Sequence, residues 1–249
     1  MPNAISLLAT AAVAVLTGGC GTAAAQRHTT KPAARAGQPA PPPALPLARD
    51  FVPAIDNPWF PLHPGTVLTY RGQDEGTPAR DVLVVTHRTK LILGIRATVI
   101  DDRVYKSGHL AERTNDYYAQ DGRGNVWYLG EDTATLKPDG QVASREGTWR
   151  AGRHGAKPGI LMPAHPKPGD GGWQEYYPGH AQDRYRILNQ HTPVHTPAAR
   201  AGHAMLIQET TPLEPGVIDH KIYVRGIGTV REQTVKRGNE RYQLVSIHH

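Results

Sequence analysis

"DYYAQDGRGNVWYLGEDT", residues 116–133, decides the fold. Two aromatic-rich segments flank Asp121-Gly122-Arg123-Gly124-Asn125, and Gly and Asn tolerate the positive φ that a tight chain reversal demands. Read this way, the stretch is a β-hairpin with Tyr117, Tyr118, Trp127 and Tyr128 on adjacent strands. Cross-strand aromatic contacts there add about 0.5–1 kcal/mol each. The competing reading is a calcium loop starting at Asp121. It puts Arg123 at a ligand position and Val126 where the sharp turn needs glycine, and both violate the pattern. The acidic rim of the hairpin has two readings. Asp116 and Glu131, with Asp132 beside them, could pair for acid/base or glycoside chemistry, or they could cap and solubilise strand ends.

The period of two continues outward from the hairpin. In 80–88 it sets Val82, Val84 and Thr86 against Leu83 and Val85, and in 94–105 Ile95, Ala97 and Val99 against Arg96, Thr98 and Ile100. In 217–224 it sets Ile218, Ile222 and Val224 against Asp219, Lys221 and Tyr223, so His220 is expected on the apolar face as a hydrogen-bonded core histidine. Further candidates are 66–72, 109–120, 125–130, 183–189, 203–210, 227–235 and 240–247, separated by Gly-, Asn- and Asp-bearing turns. Strands joined by short turns pair antiparallel. The expected class is therefore all-β: an antiparallel meander forming a half-barrel, a barrel or a sandwich. Residues 152–180 show no sustained alternation and many Gly and Pro. Their Ile160, Leu161, Met162, Trp173, Tyr176 and Tyr177 argue for a packed loop covering the sheet rather than for disorder.

The 249-residue chain has a net charge of +6, but Arg27, Lys31, Arg35 and Arg49 stand among the first 49 residues without a single acid. Residues 50–249 are left at +2, with no dense Lys/Arg run, which argues against a nucleic-acid partner. The run "ISLLATAAVAVL" (5–16) is too short to span a bilayer and suits a signal-peptide core. It leads to Cys20, the sole cysteine, so the fold cannot rest on an internal disulfide. "KPAARAGQPAPPPALPLAR" (31–49) is an Ala/Pro-rich spacer. The expected organisation is 1–19 signal peptide, 20–49 tether and 50–249 one β-rich domain.

Catalytic signatures are scarce. The chain has no G-x-S-x-G, H-E-x-x-H, P-loop or C-x-x-C. Pro193 between His191 and His195 forbids the helix that would align them. On a strand those two and His203 could still share a face, a weak alternative to the expectation of no metal site. Nothing in the sequence calls for a cofactor.

Several phrases carry a resemblance. The Cys20 region, "TGGCG", resembles the lipobox of bacterial lipoproteins, which implies cleavage before Cys20, diacylglyceryl attachment to it with palmitate-type chains, and a cell-envelope location on the extracytoplasmic face. "NPWFPLHPG" (57–65), "YYAQDGRGNVWYLGED" (117–132), "KPGILMP" (157–163), "QEYYPG" (174–179) and "LEPGV" (213–217) resemble a family of bacterial secreted proteins and lipoproteins across most of residues 50–235. "YVRGIGTVRE" (223–232) is similar to the closing strands of LolA/LolB-like envelope half-barrels, many of which bind acyl chains. The leading expectation is a membrane-tethered binding module for an apolar or amphiphilic ligand. Tyr117, Trp127, Met162, Trp173, Tyr176 and Tyr177 would line the site, with Lys157 or Glu175 orienting a polar head. The alternatives are a hydrolase-like enzyme using Asp116, Glu131 and Glu175, and a structural envelope protein that binds another protein.

Overall fold

The structure, a computed structural model, describes residues 41–249; the leader, Cys20 and the first part of the spacer lie outside the described residues. A short 3-10 turn at Ala48–Asp50 precedes β1 (Phe51–Val52). Five longer strands follow: β2 (Val67–Asp74), β3 (Thr77–Ile92), β4 (Ile95–Lys106), β5 (His109–Asp121) and β6 (Val126–Leu136). Next come the short β7 (Val142–Ser144), β8 (Trp149–Arg150), β9 (Lys157–Met162), β10 (Gly171–Trp173) and β11 (Glu175–Tyr176). The chain ends in β12 (Arg184–Thr196), β13 (Ala199–Thr210), β14 (Ile218–Val224), β15 (Gly228–Lys236) and β16 (Arg241–His248).

All sixteen belong to one antiparallel sheet. Because β16 pairs β2, the two halves of the meander join into a continuous wall from β10 through β12–β16 and β2–β6 to β9 and β11. The wall curls into a nearly closed barrel. Its seam lies between β10 and β11, which are consecutive in the chain: Gly171–Trp173 pair with β12, and Glu175–Tyr176 pair with β9. One short segment thus stitches the two edges together, with the Gln174 N–H donating to the Asp183 carbonyl at 2.8 Å.

Residues 152–180 are therefore partly strand rather than wholly a covering loop. Their glycines misled the sequence reading because here they permit close backbone approach. A Cβ on Gly159 would sit 2.2 Å from the Trp173 carbonyl oxygen. Gly is the residue that such an approach admits within a strand.

The opening hairpin forms as expected. Tyr118 stacks on Tyr128 with ring centroids 4.7 Å apart, and Tyr128 meets Trp149 edge-on at 5.3 Å. Asp121 organises the turn: its carboxylate accepts from the Arg123 and Asn125 backbone N–H groups and from the Trp127 indole N–H at 2.8 Å. "NPWF" plugs the same end of the barrel, with Trp59 and Phe60 buried and Phe60 edge-on to Tyr118. The Asn57 amide donates to the Gly124 and Pro163 carbonyls, which ties the plug to the hairpin.

One face assignment is reversed. On β14, Asp219, Lys221 and Tyr223 point into the barrel, while Ile218 and His220 are only half-buried. The sequence places its apolar residues in the core by default, but here the interior is polar at one end and takes the charged face.

Gly159→Ala is expected to force the seam apart and cost about 3 kcal/mol, as overpacking against unyielding backbone does. Urea denaturation followed by tryptophan fluorescence checks this, and an unchanged midpoint would contradict the seam.

Candidate functional site

The antiparallel turns fall at two ends. Turns at 93–94, 122–124, 197–198 and 225–227 surround the aromatic plug, while those at 75–76, 107–108, 211–217 and 237–240 form the opposite end. Towards that opposite end the inward positions become acidic. β2 contributes Asp74, β3 Asp81, β4 Asp102, β5 Glu112 and Asp116, β6 Glu131, β11 Glu175, β13 Glu209, β14 Asp219 and β15 Glu232. Asp183 and Glu240 join them from the loops, and all are buried. The fully buried cation among them is Lys221, whose Nζ lies 2.8 Å from Glu209 and 3.8 Å from Glu232.

So many carboxyls cannot all be ionised in one enclosed space, since burial and mutual repulsion both oppose charge. Burial, followed by repulsion from Asp102, lifts Glu112 to about 8. Burial likewise lifts Glu232 to about 8, with Lys221 pulling the other way. Asp81 is raised by burial and by Asp102, to which it also hydrogen-bonds, an arrangement that needs a shared proton. Lys221 is held in its charged form: burial opposes the charge, but Glu209 and Glu232 outweigh it.

Asp116, Glu131 and Glu175 are brought together within this interior. Asp116 and Glu131 are cross-strand partners, and the Tyr128 hydroxyl donates to Asp116 at 2.7 Å. Burial raises all three; repulsion from Glu175 adds to the rise at Glu131, and repulsion from Asp183 to that at Glu175. They are 0%, 1% and 0% exposed respectively, so substrate has no open path to them. Asp132 turns to the outer wall, where it accepts from Arg150 and from the Tyr117 hydroxyl.

The aromatic candidates divide. Lys157, Trp173 and Tyr176 converge outside the seam. The Lys157 Nζ lies 6.0 Å from the Tyr176 ring centre, Tyr176 meets Trp173 edge-on at 4.8 Å, and the Arg184 guanidinium covers Trp173 at 3.9 Å. Beside them opens a cleft of about 740 Å³ lined by Ile160, Trp173, Arg184, Tyr185, Arg186, Gln208, Thr210 and the prolines 41 and 43. Tyr117 lies under Arg150, Trp127 is covered by Phe51, and Met162 is wholly buried; none of the three lines this cleft. Tyr177 stacks instead on His180, which pairs with Glu146. His191 and His203 meet edge-on at 5.7 Å, and no group of three metal-ligating side chains occurs among the described residues.

The sequence alone did not point to Arg184, Tyr185 or Arg186. The signal was present as "RYR" opening a strand, a short alternation that becomes meaningful once β10 is seen to pair beside it.

No protein-family model and no curated protein matches the chain. Among solved structures, it is similar to a protein of Bacteroides fragilis NCTC 9343, described provisionally as exported and with a YmcC-like fold, at 15% identity and a TM-score of 0.46. That alignment covers 79% of this chain and 100% of the other. A provisionally described lipoprotein of Parabacteroides distasonis ATCC 8503 is similar at 12% identity and a TM-score of 0.41, over 76% of this chain and 98% of the other. At TM-scores below 0.5, neither description passes to this chain.

The raised carboxyls set a pH dependence. Glu112 and Glu232 hold protons in the fold that the unfolded chain releases near 4.5, so stability is greatest below that value and falls as pH rises towards about 8. Thermal unfolding is expected to occur several degrees higher at pH 5 than at pH 8.5, and Glu112→Gln should flatten the difference. A midpoint that rises with pH would contradict the assignment.

Proposed function

We propose that this chain is an exported, membrane-tethered β-barrel that binds an amphiphile in the cleft at its seam. The observation that carries the reading is the cleft itself: an apolar and aromatic floor of Ile160 and Trp173, with guanidinium groups of Arg184 and Arg186 at its side. Such a site takes an apolar chain against the floor and an anionic or polar head at the cations. Lys157, through its place by Tyr176, extends the cationic side. Export and the anchor rest on the apolar run 5–16 and on Cys20, with 20–49 serving as spacer and acyl chains on Cys20 holding the barrel to the membrane. Near its end Leu45 packs against the core, and just beyond it Gly122 donates to the Asp50 carbonyl.

Acid/base chemistry at Asp116, Glu131 and Glu175 is the second reading. Convergence supports it, and the absence of an open path weighs against it, so binding is preferred.

A dansylated fatty acid titrated into the purified protein tests the cleft. Blue-shifted, saturable emission is expected, weakened about tenfold by Arg184→Ala and by Trp173→Ala, with circular dichroism confirming that both variants fold. No saturable binding to the native chain would sink the proposal. For the anchor, Cys20→Ala is expected to move the protein from the membrane to the soluble fraction. Unchanged membrane retention would contradict lipidation.

A further inference from the structure

The outer wall on the far side from the aromatic hairpin carries a row of side chains aligned by strand register. Gln208 on β13 stands opposite His220 on β14, then Gln233 on β15, Arg241 on β16 and Gln73 on β2. The next row sets Arg231 opposite Gln243, then Arg71, then Arg80. Arg71, Arg231 and Arg241, with Gln233 and Gln243, line a cleft of about 370 Å³.

The positive charge of this wall is not offset by side-chain ion pairs at Arg71, Arg231 or Arg241 among the described residues. Like charges directly opposite one another on neighbouring strands are destabilising, and Arg71 faces Arg80 in register. Arg80 is drawn aside over the Tyr105 ring at 4.4 Å, which leaves Arg71 pointing to the cleft without it. Arg231 and Arg241 hydrogen-bond to neutral oxygens instead: Arg241 donates to the Gln73 amide at 2.8 Å and Arg231 to the His195 carbonyl at 2.7 Å. The acid that also borders the cleft, Glu232, is buried on the barrel side and engaged with Lys221. Guanidinium forks recognise planar and tetrahedral oxyanions through paired N–H donors. Three forks supply more donors than a single carboxylate has oxygens to receive, whereas a phosphate presents three or four oxygens.

We infer that the cleft formed by Arg71, Arg231 and Arg241 binds a phosphate group, with the Gln233 and Gln243 amides as further donors. The group belongs either to a soluble phosphate or to a phospholipid headgroup. The site is separate from the seam cleft and does not depend on the amphiphile reading.

Calorimetric titration of the full chain with inorganic phosphate tests the soluble form. Co-sedimentation with phosphatidylglycerol vesicles, against phosphatidylcholine vesicles that carry phosphate without net charge, tests the headgroup. Saturable binding in either arm is expected, weakened about tenfold or more by Arg71→Gln and by Arg231→Gln. Arg145→Gln, on an exposed turn away from the cleft, is expected to leave it unchanged. All three substitutions are at surface positions, and an unaltered melting temperature excludes misfolding as the cause. Phosphate binding in solution identifies a soluble ligand, and binding only to phosphatidylglycerol vesicles identifies the headgroup. Absence of saturable binding in both arms, or equal binding by native and arginine variants, overturns the inference.

Discussion

Closure of the seam is the constraint on which the molecule depends. An open meander leaves two rows of unpaired N–H and C=O groups, and here a single segment, 171–176, pairs with β12 on one side and β9 on the other. Closure is possible because Gly159 and Gly171 carry no Cβ where the neighbouring backbone comes close. It converts a curved sheet into an enclosed space and so determines the environment of every inward side chain. The same stitch builds the exterior cleft, because Trp173 and Tyr176 are presented outward from the two halves of the closing segment.

The enclosed space is divided along its axis. Around the plug end, Phe60, Tyr118, Tyr128 and Tyr223 pack as an aromatic core. Towards the other end the same inward positions carry carboxyls around one lysine. Taking charges out of water is costly unless they are paired, and Lys221 with Glu209 and Lys106 with Asp74 are pairings the interior offers. Glu112 and Glu232, lifted to about 8, and Asp81, Asp116, Glu131, Glu175 and Glu240, raised by burial, relieve the cost by holding protons, and this makes the stability of the barrel a function of pH. Acidity therefore belongs to how the barrel is held together as much as to any chemistry at Asp116, Glu131 and Glu175.

The outer wall shows the complementary charge. Because the interior acids are buried, the surface sees arginine and glutamine along β2, β15 and β16 without carboxylates, among the described residues, paired to Arg71, Arg231 or Arg241. A nearly balanced composition in residues 50–249 thus hides a segregation of sign between inside and outside. Net charge alone excluded a broad basic face, and it had no means of revealing a local one.

What the sequence by itself determined was local. Gly and Asn at 122–125 dictated a hairpin, alternation dictated strands and short turns dictated antiparallel neighbours; the hairpin placed Asp116 and Glu131 near one another, and a bulge between Asp116 and Tyr118 made them direct partners. The tertiary structure decided what depends on curvature and closure. It chose a nearly closed barrel over a half-barrel or sandwich, since that choice rests on β16 finding β2 and on the segment 171–176 finding both edges. It also decided which face of β14 is inside. Alternation separates two faces without saying which one a closed wall encloses, and Asp219, Lys221 and Tyr223 went inward because acids and a lysine from distant strands met there. The arginines at 71, 231 and 241 lie far apart in the chain, and only strand register brings them to one cleft.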